Sequence, residues 1–578
     1  MILKSLPEAI LESAQKRGGK TALRYKKDGV IYKTSYKRLA QDINNFSNVL
    51  SSLGVVKGDR LAILSNNCPE WAVFDLSAMM LGGISVPIHT TLSPQIIAYI
   101  LNHCQAKILL VRSSELLNKI LLIQDELGFL EKIIYIGQLE LGIKKMSKIK
   151  IIDWEELIIT KKTMVKKPVV LEPNDVCNII YTSGTTGRPK GVCLTHQNFL
   201  SDIRSVLQSI PIFSSDLFLS FLPLSHVLER TTGYYLPLLV GASIAYAEGV
   251  KELPKNLKEF KPTILICVPR VLEKFHDKIY DKIKSGPGFV RNLFFYALKQ
   301  SEGSWSLRLL DKIIFSKIRN NLGGNLRFIV SGGASLNLTI AKFFKKIGLI
   351  ILEGYGLTES SPVITVNKLD NFKFGTVGLP ISEVEVKISA DREILVRGDI
   401  IMSGYYKNKP ETLEAIDQDG FLHTGDLGFI DQDGFLTIIG RKKEMMVTSG
   451  GKNIWPDHLE QLINIDKYIS QSMVIAHNRR FVSALIVPDW QEINNYWVSN
   501  NLPIKTREEM LADIALLKLI KERVGQINYG LPEYEQIKQF HLLAEEFSES
   551  KDELTPTLKL RRQAIETNYK KQIDKMYE

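Results

Sequence analysis

Helical and strand-like patterns alternate along the first half of the chain, and this alternation constrains the fold more than any other feature. Strand-like runs such as Arg60–Ser65 and Lys107–Val111 alternate with helical patterns such as Trp71–Leu81 and Ser93–Cys104. Strands separated by helices of this length indicate parallel sheets covered by helices. The sequence therefore predicts an α/β fold built in layers.

The sequence changes character near residue 440, where a second domain is expected. Asp-Gly pairs at Asp419-Gly420 and Asp433-Gly434 are typical of tight hairpin turns. The length of 578 residues also exceeds what one compact core accommodates. We expect a large N-terminal domain over residues 1–440 and a small, mobile α+β domain over residues 441–578. The basic stretch 144–167 is interpreted as an exposed insertion in the first domain.

A glycine-rich loop follows the strand-like run Val176–Ile180. It reads YTSGTTGRPKGV from Tyr181 to Val192. Glycines let backbone N–H groups approach an anion, and successive free amides form an anion-binding nest. The candidate phosphate ligands are Thr182, Ser183, Gly184, Thr185, Thr186, Gly187 and Lys190. The loop differs from a Walker A sequence because glycine, and not serine or threonine, follows the lysine.

Charge raises the question of nucleic-acid binding, since the formal net charge is +11. The excess lies in dispersed lysine-rich patches that match no DNA-binding motif and contain no interleaved aromatic residues. Charge runs of this kind usually form solvated surface. We therefore expect no nucleic-acid partner.

The segment 289–319 mixes apolar and basic residues at helical spacing. Its apolar members are Phe289, Leu293, Phe294, Phe295, Trp305, Leu309, Leu310, Ile313, Ile314 and Phe315, and its basic members are Arg291, Lys299, Arg308, Lys312, Lys317 and Arg319. A basic amphipathic pair of helices can lie on an anionic membrane surface. It can also pack its apolar stripe into the protein, which is the more ordinary outcome. Both interpretations stay open.

Cysteine usage and hydropathy indicate the compartment. The five cysteines are scattered without a CxxC pair, as is typical of reduced thiols. The sequence contains no run of 18 or more uncharged apolar residues, so no membrane span is predicted. The N-terminal sequence lacks the apolar region of a signal peptide. We expect a cytoplasmic enzyme, with peripheral contact to the inner face of the membrane as the alternative that segment 289–319 leaves open.

Five further motifs occur in order with the glycine-rich loop. They are FLPLSHVLER at 221–230, SGGA at 331–334, EGYGLTES at 353–360, TGD at 424–426 and GRKKE at 440–444. Together they resemble the adenylate-forming (AMP-binding) superfamily, and LPLSHVLER with VPRVLEKF resembles its long-chain fatty acid–CoA ligases. The resemblance covers nearly the whole chain. It implies ATP, Mg²⁺ and coenzyme A as cofactors and a fatty acid as substrate.

The resemblance also implies roles for residues of the first domain. The glycine-rich loop would hold the β- and γ-phosphates of ATP, Glu359 would bind Mg²⁺, and Thr358 would contact the α-phosphate. Tyr355 would stack on adenine. The neighbouring adenine-site residues would be Gly332, Gly333, Ala334, Glu353, Gly354 and Gly356. His226 would line or gate the acyl and pantetheine tunnels, although a core histidine remains the alternative.

For the second domain, the resemblance implies a ribose site, a hinge and a catalytic lysine. Asp426 would bind the ribose hydroxyls, Arg441 would be a second ribose or phosphate contact, and Lys443 would be the hinge. Gly450 and Gly451 would face the active site in the thiol-transfer step. Lys559 aligns with the catalytic lysine, although the usual arginine and glycine of that motif are leucines here. Arg561 and Arg562 are competitors for this role.

Two alternatives to a CoA ligase stay open. An acyl–acyl carrier protein synthetase would use a protein-borne pantetheine, and the basic surface would suit an acidic carrier protein. A catalytically silent relative would only bind lipid or nucleotide. The presence of Glu359, Asp426 and Lys559 together argues against the silent relative.

Overall fold

The protein forms two compact units. The computed structural model describes residues 5–138, 147–159, 169–182, 188–301, 304–503, 505–548, 550–554 and 560–578. The first unit comprises Met1–Lys387, Leu395–Thr424 and Ile430–Leu436, and the second comprises Ile388–Ile394, Gly425–Phe429 and Thr437–Glu578. The predicted domain boundary between residues 440 and 441 stays a prediction.

Twenty-six strands occur in the described residues. In chain order they are β1 (Thr21–Lys27), β2 (Val30–Ser35), β3 (Arg60–Leu64), β4 (Ile84–Pro87), β5 (Ala106–Arg112), β6 (Lys132–Ile136), β7 (Lys150–Asp153), β8 (Val176–Thr182), β9 (Lys190–Thr195), β10 (Leu217–Ser220), β11 (Ser243–Tyr246), β12 (Ile264–Cys267), β13 (Phe328–Ser331), β14 (Ile351–Gly356), β15 (Val363–Val366), β16 (Leu379–Pro380), β17 (Glu385–Ile388), β18 (Glu393–Arg397), β19 (Gly404–Tyr405), β20 (Leu422–Ile430), β21 (Leu436–Arg441), β22 (Met446–Val447), β23 (Asn453–Ile454), β24 (Ile469–Ile475), β25 (Val482–Pro488) and β26 (Ile537–Leu542).

The α-helices of the described residues are α1 (Leu6–Arg17), α2 (Tyr36–Ser52), α3 (Pro69–Met80), α4 (Pro94–Cys104), α5 (Ser114–Leu121), α6 (Trp154–Ile159), α7 (His196–Ser209), α8 (Leu236–Val240), α9 (Leu253–Phe260), α10 (Pro269–Lys284), α11 (Gly288–Lys299), α12 (Trp305–Leu310), α13 (Ser316–Asn321), α14 (Leu338–Lys346), α15 (Lys409–Ala415), α16 (Pro456–Asn464), α17 (Trp490–Ser499), α18 (Arg507–Leu511), α19 (Ile514–Asn528), α20 (Arg562–Asn568) and α21 (Lys570–Lys575). Wider π-helical turns at Glu229–Tyr235 and Asp311–Phe315 lead into α8 and α13.

Two large sheets organise the first unit. One has the strand order β19-β9-β8-β4-β3-β5-β6-β7, and the other has the order β16-β15-β14-β13-β12-β10-β11-β1-β2. The central strands of both sheets are parallel, whereas the pairs β8–β9 and β14–β15 are antiparallel. The predicted layered α/β fold is confirmed.

The core of the first unit lies on both faces of these sheets, since side chains alternate along a strand. On β12, Ile264 and Ile266 join the largest apolar cluster, which also includes residues of α1 to α3. Leu265 and Cys267 point the other way, into a cluster with Phe294 and other residues of α9 to α14. Burial on both faces explains why these strands are short, continuous apolar runs.

The largest segment of the second unit, Thr437–Glu578, is built around a three-stranded sheet with the order β24-β25-β26. Helices α16 to α19 cover one face with a core that includes Trp490 and Trp497. The other face packs against Ile565 and Ile573 of α20 and α21. This is the small α+β arrangement that the sequence predicts.

The prediction of an exposed insertion over 144–167 is wrong for its middle part. Lys150–Asp153 is β7, which pairs in parallel with β6, and Trp154 begins α6. Ile151, Ile152 and Trp154 are buried. Basic residues flank this short apolar run in the sequence and so indicate exposure, although the run is long enough to form one edge strand.

Candidate active site

The glycine loop after β13 lies beside β14. Parallel pairing joins Ser331 to Glu353, so the carboxyl end of β13 meets the middle of β14. Gly333 has a φ of +84°, a conformation that glycine adopts without strain. A Cβ atom on Gly332 would lie 3.3 Å from Leu228 and 3.6 Å from the carbonyl oxygen of Gly354. Gly332 is therefore closely packed, whereas Gly333 and Ala334 are exposed. Their predicted role beside the adenine stays a prediction.

Strand β14 carries the predicted adenine-site residues. Tyr355 pairs with Thr365 of β15 and is buried. A Cβ atom on Gly356 would lie 1.6 Å from the carbonyl oxygen of Pro362, so no other residue fits there without moving the backbone. Glu353 is also buried, and burial raises its pKa to about 7 despite the backbone N–H of Leu336. Glu353 therefore carries a proton more readily than an exposed glutamate.

Glu359 lies on the short helical turn Thr358–Ser360, directly after β14. Its Oε1 atom accepts a hydrogen bond of 2.9 Å from the hydroxyl group of Tyr405. Burial and the nearby Glu359 carboxylate both raise the pKa of Tyr405, so this hydroxyl stays protonated and donates. The hydrogen bond fixes one carboxylate oxygen and leaves the other for a ligand.

The hairpin of β8 and β9 carries the phosphate-loop residues that the structure describes. Thr182 and Lys190 pair where the chain leaves β8 and enters β9, whereas Val176 and Thr195 pair at the open end of the hairpin. The Nζ atom of Lys190 lies 2.7 Å from Oε2 of Glu411 and 5.4 Å from the ring centroid of Tyr405. Tyr405 therefore contacts both Lys190 and Glu359. The other predicted loop residues, Ser183, Gly184, Thr185, Thr186 and Gly187, lie outside the described residues.

Glu359 would suit a magnesium ion only if the ion also took ligands from a bound phosphate and from water. Among the described residues, no group of three His, Cys, Asp or Glu side chains lies close enough to hold a metal ion. Mg²⁺ commonly takes one or two carboxylates and completes its octahedron with phosphate oxygens and water. Glu359 with a bound polyphosphate meets that pattern.

His226 precedes the π-helical turn Glu229–Tyr235 in the chain. Its Nδ1 atom accepts a hydrogen bond of 3.3 Å from the backbone N–H of Leu228, the residue that packs near Gly332. Its ring centroid lies 6.4 Å from that of His89. The surrounding protein lowers the pKa of His89 to about 4, so His89 is neutral at physiological pH. The predicted role of His226 in lining or gating a tunnel stays a prediction.

The predicted ribose residues meet within the second unit. The Oδ1 atom of Asp426 lies 3.1 Å from Nε of Arg441, and Asp426 is buried whereas Arg441 is largely exposed. Lys443 lies on the exposed helical turn Lys442–Glu444. Gly450 and Gly451 form an exposed turn in which Gly451 has a φ of +73°.

Lys559 lies outside the described residues, but its two competitors are described. Arg562 makes ion pairs with Glu460 at 2.6 Å and with Asp457 at 2.8 Å, and burial and these carboxylates hold it in place. Arg561 pairs with Asp552. Both arginines therefore have acidic partners in the structure, and the catalytic role of Lys559 stays a prediction.

Sequence reasoning missed Tyr405 and Glu411. Tyr405 belongs to β19, which pairs with β9, and Glu411 belongs to α15, which follows β19. Tertiary pairing alone brings them to Glu359 and Lys190. No sequence signal beyond an aromatic after Gly404 marks this position.

A buried charge cluster was missed as well. Arg230 is fully buried, pairs with the equally buried Asp75 of α3, and donates to Ser85 at 3.0 Å. The Asp75 carboxylate also accepts a hydrogen bond of 3.0 Å from Tyr235. Glu229, beside Arg230, is 1% exposed, and burial raises its pKa to about 8. The available signal was that Glu229 and Arg230 are the only Asp, Glu, Lys or Arg residues between Leu217 and Ala247.

Comparison with known proteins assigns the family. The profile of the AMP-binding enzyme family matches residues 10–406, and that of the AMP-binding enzyme C-terminal domain matches residues 443–578. Since the first match spans more than half of the chain, the protein belongs to the AMP-binding enzyme family. The predicted family resemblance is confirmed.

Curated relatives are acid–thiol ligases by name. The chain is 33% identical over 576 residues to the long-chain-fatty-acid–CoA ligase FadD15 of Mycobacterium bovis, covering 95% of this chain and 93% of the relative. It is 31% identical over 561 residues to the peroxisomal long chain acyl-CoA synthetase 6 of Arabidopsis thaliana, covering 91% of this chain and 78% of the relative.

Solved structures share the fold at low sequence identity. The anthranilate CoA ligase AuaEII in complex with anthranoyl-AMP superposes with a TM-score of 0.78 and 21% identity, covering 99% of both chains.

Among the described residues, no helix has the length and hydropathy needed to cross a membrane.

Proposed function

We propose that the protein activates a long-chain fatty acid with ATP through an acyl-adenylate and then transfers the acyl group to coenzyme A. The observation that carries the proposal is the contact of Tyr405 with both Glu359 and Lys190. It places the predicted Mg²⁺ ligand and the cation of the phosphate loop around one side chain. The relatives named as long-chain fatty acid ligases support the substrate class.

In the first step, a carboxylate oxygen of the fatty acid attacks the α-phosphorus of ATP and pyrophosphate leaves. Bound Mg²⁺ would supply charge neutralisation on the phosphate oxygens. Glu359 would hold it, while Thr358 would donate to an α-phosphate oxygen and Lys190 would stabilise the departing pyrophosphate. Lys559 would stabilise the reacting carboxylate. Positioning and charge stabilisation are the main sources of catalysis in such transfers.

Nucleotide recognition divides between two sets of residues. Tyr355 would give the adenine a flat wall, and the loop Gly332–Ala334 would let the base approach the backbone. Asp426 would accept hydrogen bonds from both ribose hydroxyls, because an ionised carboxylate is an acceptor for each. Arg441, 3.1 Å from Asp426, would orient that carboxylate and contribute a further polar contact.

In the second step, the thiolate of coenzyme A attacks the acyl carbon, the bond to the adenylate oxygen breaks, and AMP leaves. Lys443 is the proposed hinge at which the backbone rotates between the two steps, since a hinge residue need not touch substrate. The turn Gly450–Gly451 would face the thiol in this step. Both glycines are exposed and allow close approach of a ligand.

The experiment that tests the function combines purified protein with ATP, Mg²⁺, saturated carboxylates of increasing chain length, and one acceptor thiol. The acceptor is either coenzyme A or a carrier protein bearing pantetheine. We expect carboxylate-dependent AMP release and acyl-CoA formation, highest for long chains. Thioester formed only on the carrier protein would identify the alternative acceptor. Glu383→Gln, at an exposed position, is the control for Glu359→Gln. Carboxylate-dependent AMP release that is as fast in Glu359→Gln as in this control would contradict the proposed site.

A further inference from the structure

The helices over residues 288–321 carry an apolar face that the protein does not cover. Trp305, Leu309 and Ile313 are spaced four residues apart, so they share one side of a continuous helix. Their exposed fractions are 79%, 54% and 45%. On the adjacent α11, Phe289 and Tyr296 are exposed by 76% and 54%. We refer to these five residues as the exposed apolar face.

The same helices pack into the core through their other side. Leu310, Ile314 and Phe315 are buried, together with Phe294 of α11. A hydrogen bond of 2.9 Å from the Ser306 hydroxyl to the Gln300 side chain ties the start of α12 to the end of α11. The packing alternative for this segment is therefore confirmed for one stripe, and the membrane alternative stays a prediction. One stripe fills the core, and a second apolar stripe is left facing out.

Basic residues lie on the same helices as the exposed apolar face. Residues 282–320 contain eight lysines and arginines and two acidic residues. One acidic residue, Asp311, already makes an ion pair of 2.6 Å with Arg319. Five cations of the same helices are exposed, namely Arg291, Lys299, Arg308, Lys312 and Lys317. Arg308 and Lys312 directly precede Leu309 and Ile313 in the chain, so exposed basic and apolar side chains occur together on these helices.

We propose that the exposed apolar face docks on an anionic lipid surface. Trp305 and Tyr296 are residues that favour the headgroup level, and Leu309 and Ile313 would enter the acyl boundary. Arg308 and Lys312 would contact anionic headgroups, as basic residues near a membrane surface do. A second copy of this chain is a poor occupant, because a two-fold contact would bring the same cations together.

The docking proposal does not depend on the catalytic proposal, and its test needs no substrate. The full-length protein is mixed with vesicles of phosphatidylglycerol and phosphatidylcholine, or of phosphatidylcholine alone, and the bound fraction is measured by flotation. We expect binding to the anionic vesicles that weakens as salt is raised. Binding that is absent, or equal on both vesicle types, would overturn the proposal.

Two pairs of variants locate the contact. The double variant Trp305→Ser/Leu309→Ser is expected to lower the vesicle partition coefficient by about tenfold or more. The control is Leu122→Ser, because Leu122 is 78% exposed but does not belong to the exposed apolar face, and this variant should bind vesicles as the wild type does. The double variant Arg308→Gln/Lys312→Gln is expected to weaken binding to anionic vesicles. The double variant Lys33→Gln/Lys37→Gln is its control, because it removes the same number of positive charges from another exposed part of the chain. Equal losses in variant and control would overturn the assignment.

The unaltered protein supplies a further readout that does not depend on variant folding. Of the six tryptophans, Trp305 is exposed, and the others are buried or half-buried. Brominated phosphatidylcholine in the anionic vesicles should therefore quench part of the emission, and Trp305→Phe should remove that part. Unquenched emission from bound protein would overturn the docking geometry. Self-association that is lost in Trp305→Ser would assign the face to a second copy instead.

Discussion

At the scale of single residues, the candidate site depends on side chains that hold one another in place. Glu359 is fixed by Tyr405, and Tyr405 lies under Lys190, which pairs with Glu411. A carboxylate held by a hydrogen bond is pre-organised for a cation and loses less entropy when it binds one. This arrangement predicts different consequences for Glu359 and Tyr405.

Glu359→Gln is expected to lower the rate of pyrophosphate release on the order of 100-fold, because an amide is a far weaker Mg²⁺ ligand than a carboxylate. Tyr405→Phe keeps the carboxylate and removes only its hydrogen bond, so about a tenfold loss is expected. Raised Mg²⁺ should partly rescue Tyr405→Phe. Rates are measured with saturating fatty acid across a Mg²⁺ titration. An equal loss in both variants at every Mg²⁺ concentration would contradict separate roles.

Glu229 predicts a pH-dependent stability. Burial raises its pKa to about 8 from an ordinary value of 4.5, so the folded state keeps a proton that the unfolded chain releases over this pH window. The free energy of unfolding should therefore fall as pH rises from 4.5 to 8, by up to a few kcal/mol. Glutamine does not titrate, so the free energy of unfolding of Glu229→Gln, relative to that of the wild type, should rise across this pH window. Urea unfolding at several pH values checks this, with Glu383→Gln as the control. Parallel curves would refute it.

At the scale of elements, the site forms where neighbouring strands end. The loop after β13 lies beside the second half of β14 because the two strands pair in parallel, and β14 then leads into the Glu359 turn. Ligands of α/β proteins commonly bind at the ends of such strands. Strand β19 then adds Tyr405 by pairing with β9. The elements therefore bring together residues that are more than 200 positions apart in the chain.

The buried pair of Arg230 and Asp75 joins α3 to the π-helical turn, and it predicts non-additive stability changes. Arg230→Met or Asp75→Asn alone should cost about 3–5 kcal/mol, because each leaves a buried charge without its partner. The double variant should cost much less than the sum. Denaturant unfolding of the four proteins provides the cycle. Additive losses would show that the two side chains act independently.

Much of this could be predicted from the sequence, and the omissions have physical causes. The order of the motifs, and the resemblance to the adenylate-forming superfamily that it carries, predicted roles for the loop Gly332–Ala334, Tyr355 and Glu359, because each motif is a run of consecutive residues. Tyr405 could not be found, since its role arises from the pairing of β19 with β9. The edge strand β7 was missed because basic residues flank its short apolar run. Long-range pairing leaves little local signal.

At the scale of the whole molecule, the second family profile, over residues 443–578, lies within the second compact unit, and most of the first profile, over residues 10–406, lies within the first unit. The proposed reaction has two steps. Lys443 is the proposed hinge between those steps. Proline at this position would fix φ at about −65° and restrict backbone rotation. Lys443→Pro should leave ATP–pyrophosphate exchange within about threefold of wild type and lower thioester formation by about tenfold or more. Lys443→Ala is the control, and equal losses of both half-reactions in Lys443→Pro would contradict a hinge.

The most direct test of the account follows the oxygen atoms of the fatty acid. Palmitate labelled with ¹⁸O in both carboxyl oxygens is incubated with the protein, ATP, Mg²⁺ and coenzyme A, and the AMP is analysed by mass spectrometry. If the carboxylate attacks the α-phosphorus and the thiol then breaks the acyl–oxygen bond, AMP carries one labelled oxygen and palmitoyl-CoA retains the other. Unlabelled AMP, or label in inorganic phosphate together with ADP, would contradict the acyl-adenylate route.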